Sequence, residues 1–131
     1  MPIFHSINYP EVTRLLTSPG GGVSRDIHRR GRNVERMAQR VVRKDTGTLA
    51  ASIHTERMIP VGVKVGTNLR YARYVHYGTG IYGPYHRPIT SKRGKYLVFW
   101  SKKYNRIIYT KKVRGQTPNP FLQRALVAAY R

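Results

Sequence analysis

Four strand-like runs, arranged as two consecutive pairs, constrain the fold of this chain more than any other feature. Ser52–Met58 is followed, after Pro60, by Val61, Val63 and Val65 alternating with Gly62 and Lys64. That period of two is the pattern of a half-buried strand. Lys95–Ser101, centred on Tyr96-Leu97-Val98-Phe99-Trp100, is followed after a turn at Lys102–Arg106 by Ile107–Val113. Each pair predicts an antiparallel hairpin. Paired strands flanked by helices place the chain in the α+β class with a small antiparallel sheet, not among wound parallel sheets. The chain has 131 residues, which predicts one domain with one modest core.

The helices follow from apolar spacing. Pro10–Thr17 predicts a short helix with Val12, Leu15 and Leu16 on one face. Pro19-Gly20-Gly21-Gly22 breaks it. Ser24 is then the expected N-cap of a long helix, with Asp26 in its first turn. Ile27, Gly31, Val34, Ala38 and Val41 recur at helical steps and carry it to about Lys44. Its other faces hold Arg29, Arg30, Arg32, Arg36, Arg40 and Arg43, either as a solvated face or as one turned to a polyanion or partner. Asp45-Thr46-Gly47-Thr48 is expected to end this helix, Gly47 taking the left-handed position. Leu49–Ile53 suits a short helical turn before the first strand. Tyr71, Ala72, Tyr74, Val75 and Gly78 predict a short helix between the hairpins, and Ile81–Lys95 has loop composition. Phe121, Leu122, Ala125, Leu126 and Ala129 trace a C-terminal amphipathic helix. The long helix and the C-terminal helix are expected to cover one sheet face.

Charge and composition limit the chemistry. The chain carries 25 Lys or Arg against five Asp or Glu, a formal charge of +20. All five acids (Glu11, Asp26, Glu35, Asp45, Glu56) precede residue 57, so residues 57–131 carry +16. Such an excess projects a positive potential and implies a polyanionic neighbour or an oligomer with compensating partners. With no cysteine, disulfides, thiolate zinc sites and a cysteine nucleophile are excluded. The apolar runs are far shorter than a membrane span. Met1-Pro2-Ile3-Phe4-His5 lacks the order of a signal peptide. Gly78-Thr79-Gly80-Ile81-Tyr82-Gly83 spells G-x-G-x-x-G. It opens no helix before Pro84, and no acid follows it, so no dinucleotide site or cofactor is expected. His5, His28, His54, His76 and His86 show no metal-ligand spacing. Asp26 and Glu35 share a side of the long helix and are expected to offset neighbouring arginines rather than to work as a catalytic pair. A metal-free ribonuclease using Arg, Lys, His and Tyr stays open as an alternative.

The Tyr-rich stretch has three readings. Tyr71, Tyr74, Tyr77, Tyr82 and Tyr85 interleave with Arg70, Arg73, His76, His86 and Arg87. Aromatics among bases suit stacking on single-stranded nucleic acid. They suit a protein interface equally well. They also suit a core helix whose rings pack on the sheet.

Three motifs converge on one family. Thr46-Gly47-Thr48-Leu49-Ala50-Ala51-Ser52-Ile53 resembles a "TG-x-L-x-x-SI" element that follows the first long helix in neck proteins of tailed bacteriophages. Val65-Gly66-Thr67-Asn68 followed by Tyr71-Ala72-Arg73-Tyr74-Val75-His76-Tyr77-Gly78-Thr79-Gly80 is similar to their "VGTN…YA-x-Y-V-E-x-GT" signature. His76 stands where that signature has an acid. Pro118-Asn119-Pro120-Phe121-Leu122-Gln123-Arg124-Ala125-Leu126 resembles their closing "P-x-PFL-x-x-AL". In the Val65-Gly66-Thr67-Asn68 turn, Gly66 is expected to make a tight reversal and Asn68 to serve as a turn residue. Gly78 and Gly80 are expected to take positive φ.

The resemblance, to tail-completion or head–tail joining proteins, implies an N-terminal arm (1–23) and a family-like core (24–128). It implies a structural virion protein without enzymatic activity, assembled in the host bacterial cytoplasm. The expected partners are its own copies in a ring, commonly a hexamer, with a head-side connector or stopper and the tail tube or tail terminator. DNA would pass through the channel, and no membrane is involved. Arg70, Tyr71, Arg73, Tyr74, His76 and Tyr77 are the expected interface residues, with Phe121 and Leu122 anchoring the last helix beside them. Arg87, Lys92, Arg93, Lys95, Lys102, Lys103, Lys111 and Lys112 are expected to meet DNA or an acidic partner. A basic, ribosomal-like nucleic-acid-binding module is the other alternative that the charge leaves open.

Overall fold

The computed structural model describes residues 8–59 and 61–130. The start at Met1–His5 and the turn at Pro60 lie outside the described residues. The chain forms two compact units, Met1–Asn68 with Leu122–Arg131, and Leu69–Phe121.

The first unit opens with helix α1, Tyr9–Thr17, capped by the Asn8 side chain, which accepts from the Glu11 N–H at 3.4 Å. After Pro19-Gly20, helix α2 spans Gly22–Val41. Its N-cap is Gly21, not Ser24, and no side chain caps it. The Gly21 N–H closes a turn on the Ser18 carbonyl at 3.0 Å, which starts the helix before Ser24 is reached. Asp26 therefore lies past the first turn and does not face the helix end. It pairs instead with Arg29 and Arg30. Hydrogen bonds from Arg30 and then Arg29 hold its carboxyl below the usual carboxylate range. The helix stops at Val41, short of Lys44, because Val42 is extended and buries its side chain. Gly47 is left-handed at φ 82°, but it introduces α3, Thr48–Ser52, rather than capping α2.

The predicted stripe is the buried side of α2. Gly31, Val34 and Ala38 are buried, and with Val42, Leu49, Ile53 and Ala125 they make the core of this unit. Strands β1, His54–Arg57, and β2, Val63–Gly66, form the first hairpin, with His54 opposite Gly66 and Arg57 opposite Val63. Gly66 is thus the last residue of a strand, and its φ is not in the left-handed region. Gly31 lets α2 lie close against this hairpin. A Cβ there would stand 2.7 Å from Val63 Cγ2 and 3.0 Å from Thr55 Cγ2. Polar ties fix the same contact. The Thr55 hydroxyl donates to Glu35 at 2.6 Å, and Gln39 Nε2 donates to the Ile53 carbonyl at 3.2 Å. Glu35 therefore serves Thr55 rather than a neighbouring arginine.

The second unit begins with α4, Ala72–Tyr77, ended by Gly78 at φ 79°. A short 3₁₀ turn follows at Gly80–Tyr82. Strand β3, Ile89–Thr90, pairs with β6, Lys112–Val113. Strand β4, Leu97–Ser101, pairs with β5, Arg106–Thr110. The run Ile107–Val113 is therefore two short strands, not one. It bends at Lys111, where the Thr110 hydroxyl donates to the Lys112 carbonyl at 3.0 Å. The two predicted hairpins do not share one sheet, and the described residues form three separate two-stranded sheets. Helix α5 spans Phe121–Ala129. The class is α+β as expected. Within the first unit, α2 packs against β1–β2.

The G-x-G-x-x-G letters make a backbone clasp. The Thr79 N–H donates to the Gln116 carbonyl at 2.9 Å and the Ile81 N–H to the Arg114 carbonyl at 2.8 Å. The Gln116 N–H returns a bond to the Thr79 hydroxyl at 2.9 Å. Gly80 (φ 65°) and Gly115 (φ 96°) face one another across this crossing. A Cβ on Gly80 would collide with the Arg114 carbonyl, and one on Gly115 with that of Thr79. Two strands of backbone approach this closely only where side chains are missing.

Candidate assembly interface

Helix α4 leaves its aromatic residues at the surface. Only Ala72 is buried, while Tyr71, Tyr74 and Tyr77 are exposed, as are Tyr82 and Tyr85 beyond it. The reading of these rings as a core face is therefore corrected. The Asn119 N–H donates to the Val75 carbonyl at 2.9 Å and ties the helix to the Pro118–Pro120 segment. Arg73 lies over the Tyr74 ring, 4.8 Å from its centre, and donates to the Tyr74 hydroxyl at 2.8 Å. That contact orders an aromatic and a cation together at the surface. Arg70 is exposed beside them.

His76 and Phe121 belong to the support beneath. The His76 ring meets Tyr77 edge-on at 4.7 Å and Phe121 at 5.5 Å. Phe121 is only 1% exposed, so it anchors and presents no surface to a partner. Leu122 is half-buried and lines an apolar groove of about 310 Å³ with Ile27, Gly31, Val34, Val63 and Leu126.

The predicted basic residues fall on three pieces of the second unit. Arg87, Lys92, Arg93 and Lys95 are exposed along the loop on either side of β3. Lys102 and Lys103 sit in the β4–β5 turn, where Lys103 and Arg106 flank the Tyr104 ring at 5.4 and 5.9 Å. Lys111 and Lys112 are exposed at the bend before and within β6.

The first unit adds a fourth basic surface. Arg25, Arg29, Arg32, Arg36 and Arg40 follow one another at three- and four-residue steps and are all exposed, forming a stripe along α2. Arg25 escaped sequence reasoning because the helix was expected to begin at its neighbour. Arg29, Arg30, Arg32 and Arg36 line a cleft of about 570 Å³ with Asn33, Ala129 and Tyr130. Guanidinium groups in this density suit phosphate or carboxylate ligands, which they bind in pairs of hydrogen bonds. Among the described residues no group of His, Asp or Glu is arranged to hold a metal ion. The feature that sequence reasoning left unused is the apolar face of the β4–β5 hairpin. Val98, Trp100, Ile107 and Tyr109 are exposed, although the apolar run suggested a covered strand.

Comparison with known proteins bears on the segment that positions α4. Residues 23–78 match the family described as "Bacteriophage HK97-gp10, putative tail-component". This stretch of the chain is HK97-gp10-like. It runs from α2 through α4 and takes in the Thr46–Ile53 motif and the Val65–Gly80 motif as far as Gly78, whereas Pro118–Leu126 lies beyond it. That description is of a phage tail component, and the match covers 56 of the 131 residues. No curated protein and no solved structure matches the chain. No helix of the described residues is long and apolar enough to cross a membrane.

Proposed function

We propose that this protein is a structural, non-enzymatic component of the neck of a tailed phage. It forms a ring at the head–tail interface, completes the tail and joins it to the head-side connector around the DNA path. The observation that carries the reading is the HK97-gp10-like match over residues 23–78, whose last element is the exposed Tyr/Arg surface of α4. Tyr and Arg are enriched in protein interfaces because they supply large contact area and directed hydrogen bonds. Arg70, Tyr71, Arg73, Tyr74 and Tyr77 then contact a neighbouring subunit or the connector. The bases around β3, at the β4–β5 turn and at Lys111–Lys112 meet DNA or acidic partner proteins. A hexamer is the expected ring.

Electron microscopy of particles made without this protein tests the reading. Heads and tails should accumulate apart, and a Tyr74→Ala/Tyr77→Ala chain of unchanged helical content should reduce joining at least tenfold. Joined, infectious virions in its absence would refute the proposal.

A further inference from the structure

One face of the β4–β5 hairpin is exposed. In its register Val98 lies opposite Tyr109 and Trp100 opposite Ile107, so these four side chains share a face. They are 51–67% exposed. On the other face Leu97, Ile108 and Thr110 are half-buried and Phe99 is 39% exposed. A two-stranded hairpin is marginal alone, and an exposed apolar face of this kind marks a docking site.

A second apolar face is also exposed, although α1 touches α2. Tyr9, Val12, Leu15 and Leu16 form one stripe of α1, and α1 buries none of its residues. Its charge sets it apart from the rest of the chain. Residues 1–24 hold one acid, Glu11, and one base, Arg14, and are neutral, whereas residues 25–131 carry the whole +20. Any two surfaces drawn from residues 57–131 of two copies bring like charges together, because that stretch has no acid. The neutral arm approaches the hairpin without that repulsion. Its exposed Glu11 also complements Lys102, Lys103 and Arg106 at the hairpin turn. The lengths agree, since nine helical residues span roughly 13 Å and five strand residues roughly 17 Å.

We propose that α1 of one copy docks on the Val98/Trp100/Ile107/Tyr109 face of the next copy. Each copy gives one arm and receives one, a head-to-tail contact of the kind that closes rings. This rests on the ring reading above and names the contact that builds it.

The absence of native cysteine makes the contact readable by cross-linking the full chain. Leu15→Cys and Val98→Cys chains are mixed and oxidised, with Leu15→Cys and Lys92→Cys as the control mixture. The expected result is a mixed disulfide, identified by mass, at least tenfold above the control, and a covalent ladder from the doubly substituted chain. A yield no greater than the control overturns the proposal. So does a double variant that closes only on itself, which would mean that each arm serves its own chain. Sedimentation gives the second readout. The unsubstituted chain should self-associate, and Leu15→Asp or Trp100→Asp should weaken association at least tenfold with helical content kept. Association unchanged in both variants, or an unsubstituted chain that stays monomeric, overturns the arm contact. A neck ring templated by the tail would survive either result, because the particle experiment tests it separately.

Discussion

His54 shows how a single residue of the first hairpin responds to pH. Its Nδ1 lies 2.9 Å from the Ser52 carbonyl and its Nε2 lies 2.8 Å from Glu56. The Ser52 carbonyl first, and the Glu56 carboxylate second, raise the imidazole above its ordinary 6.5. His54 in turn lowers Glu56 below its ordinary 4.5. The histidine's contribution to stability is full below pH 6.5 and is lost as pH rises through its raised native value. That of Glu56 is full above pH 4.5 and is lost as pH falls through its lowered native value. The pair therefore acts together between about pH 4.5 and 6.5. Both groups are exposed, so the effect on overall stability is small. An NMR titration should place the His54 midpoint above 6.5 and Glu56→Gln should lower it part of the way, since the Ser52 carbonyl remains. A midpoint that Glu56→Gln leaves unmoved would show that the two groups do not interact.

At the scale of elements, close backbone approach decides the packing. Helix α2 reaches the β1–β2 hairpin because Gly31 has no Cβ to meet Val63 and Thr55. Gly31→Leu should destabilise the protein by about 3 kcal/mol, the overpacking penalty outweighing the better helix propensity of leucine. A denaturant midpoint equal to that of the unsubstituted chain would contradict this contact. The stripe containing Gly31 was legible as helical from its spacing alone. Which of its members had to be glycine was not, because the hairpin that demands it lies more than twenty residues along the chain. The same holds for the clasp. The letters of Gly78–Gly83 are visible in the sequence, but their partner Gly115 is identified only by the crossing.

For the whole molecule, charge is the quantity that multiplies on assembly. A ring of identical chains cannot neutralise itself, since each copy has 25 bases to five acids, and Asp26, Glu35 and Glu56 already have partners within the chain. The α2 arginine stripe is one exposed part of that excess. Duplex DNA binding should fall linearly in log affinity against log salt. Arg32→Glu/Arg36→Glu should reduce the slope by about two, one per lost phosphate contact. Absence of DNA binding even at low salt would leave acidic protein surfaces, not DNA, as the counterpart of the stripe.

Helix positions, the two hairpins, the α+β class and the uneven charge followed from local periodicity and composition, which are properties of neighbours along the chain. The likeness to a phage tail family was carried by a resemblance of the motifs in Thr46–Ile53 and Val65–Gly80, which are also local stretches of the chain. Tertiary structure alone decided that Tyr71, Tyr74 and Tyr77 face outward, and that Phe121 lies within. It also separated the strands into three small sheets. Each of these depends on which surfaces meet, and a run such as Tyr96–Trp100 has apolar residues on both faces of its strand. Period and composition therefore cannot tell which face a neighbour covers. The tertiary structure leaves the Val98–Tyr109 face exposed.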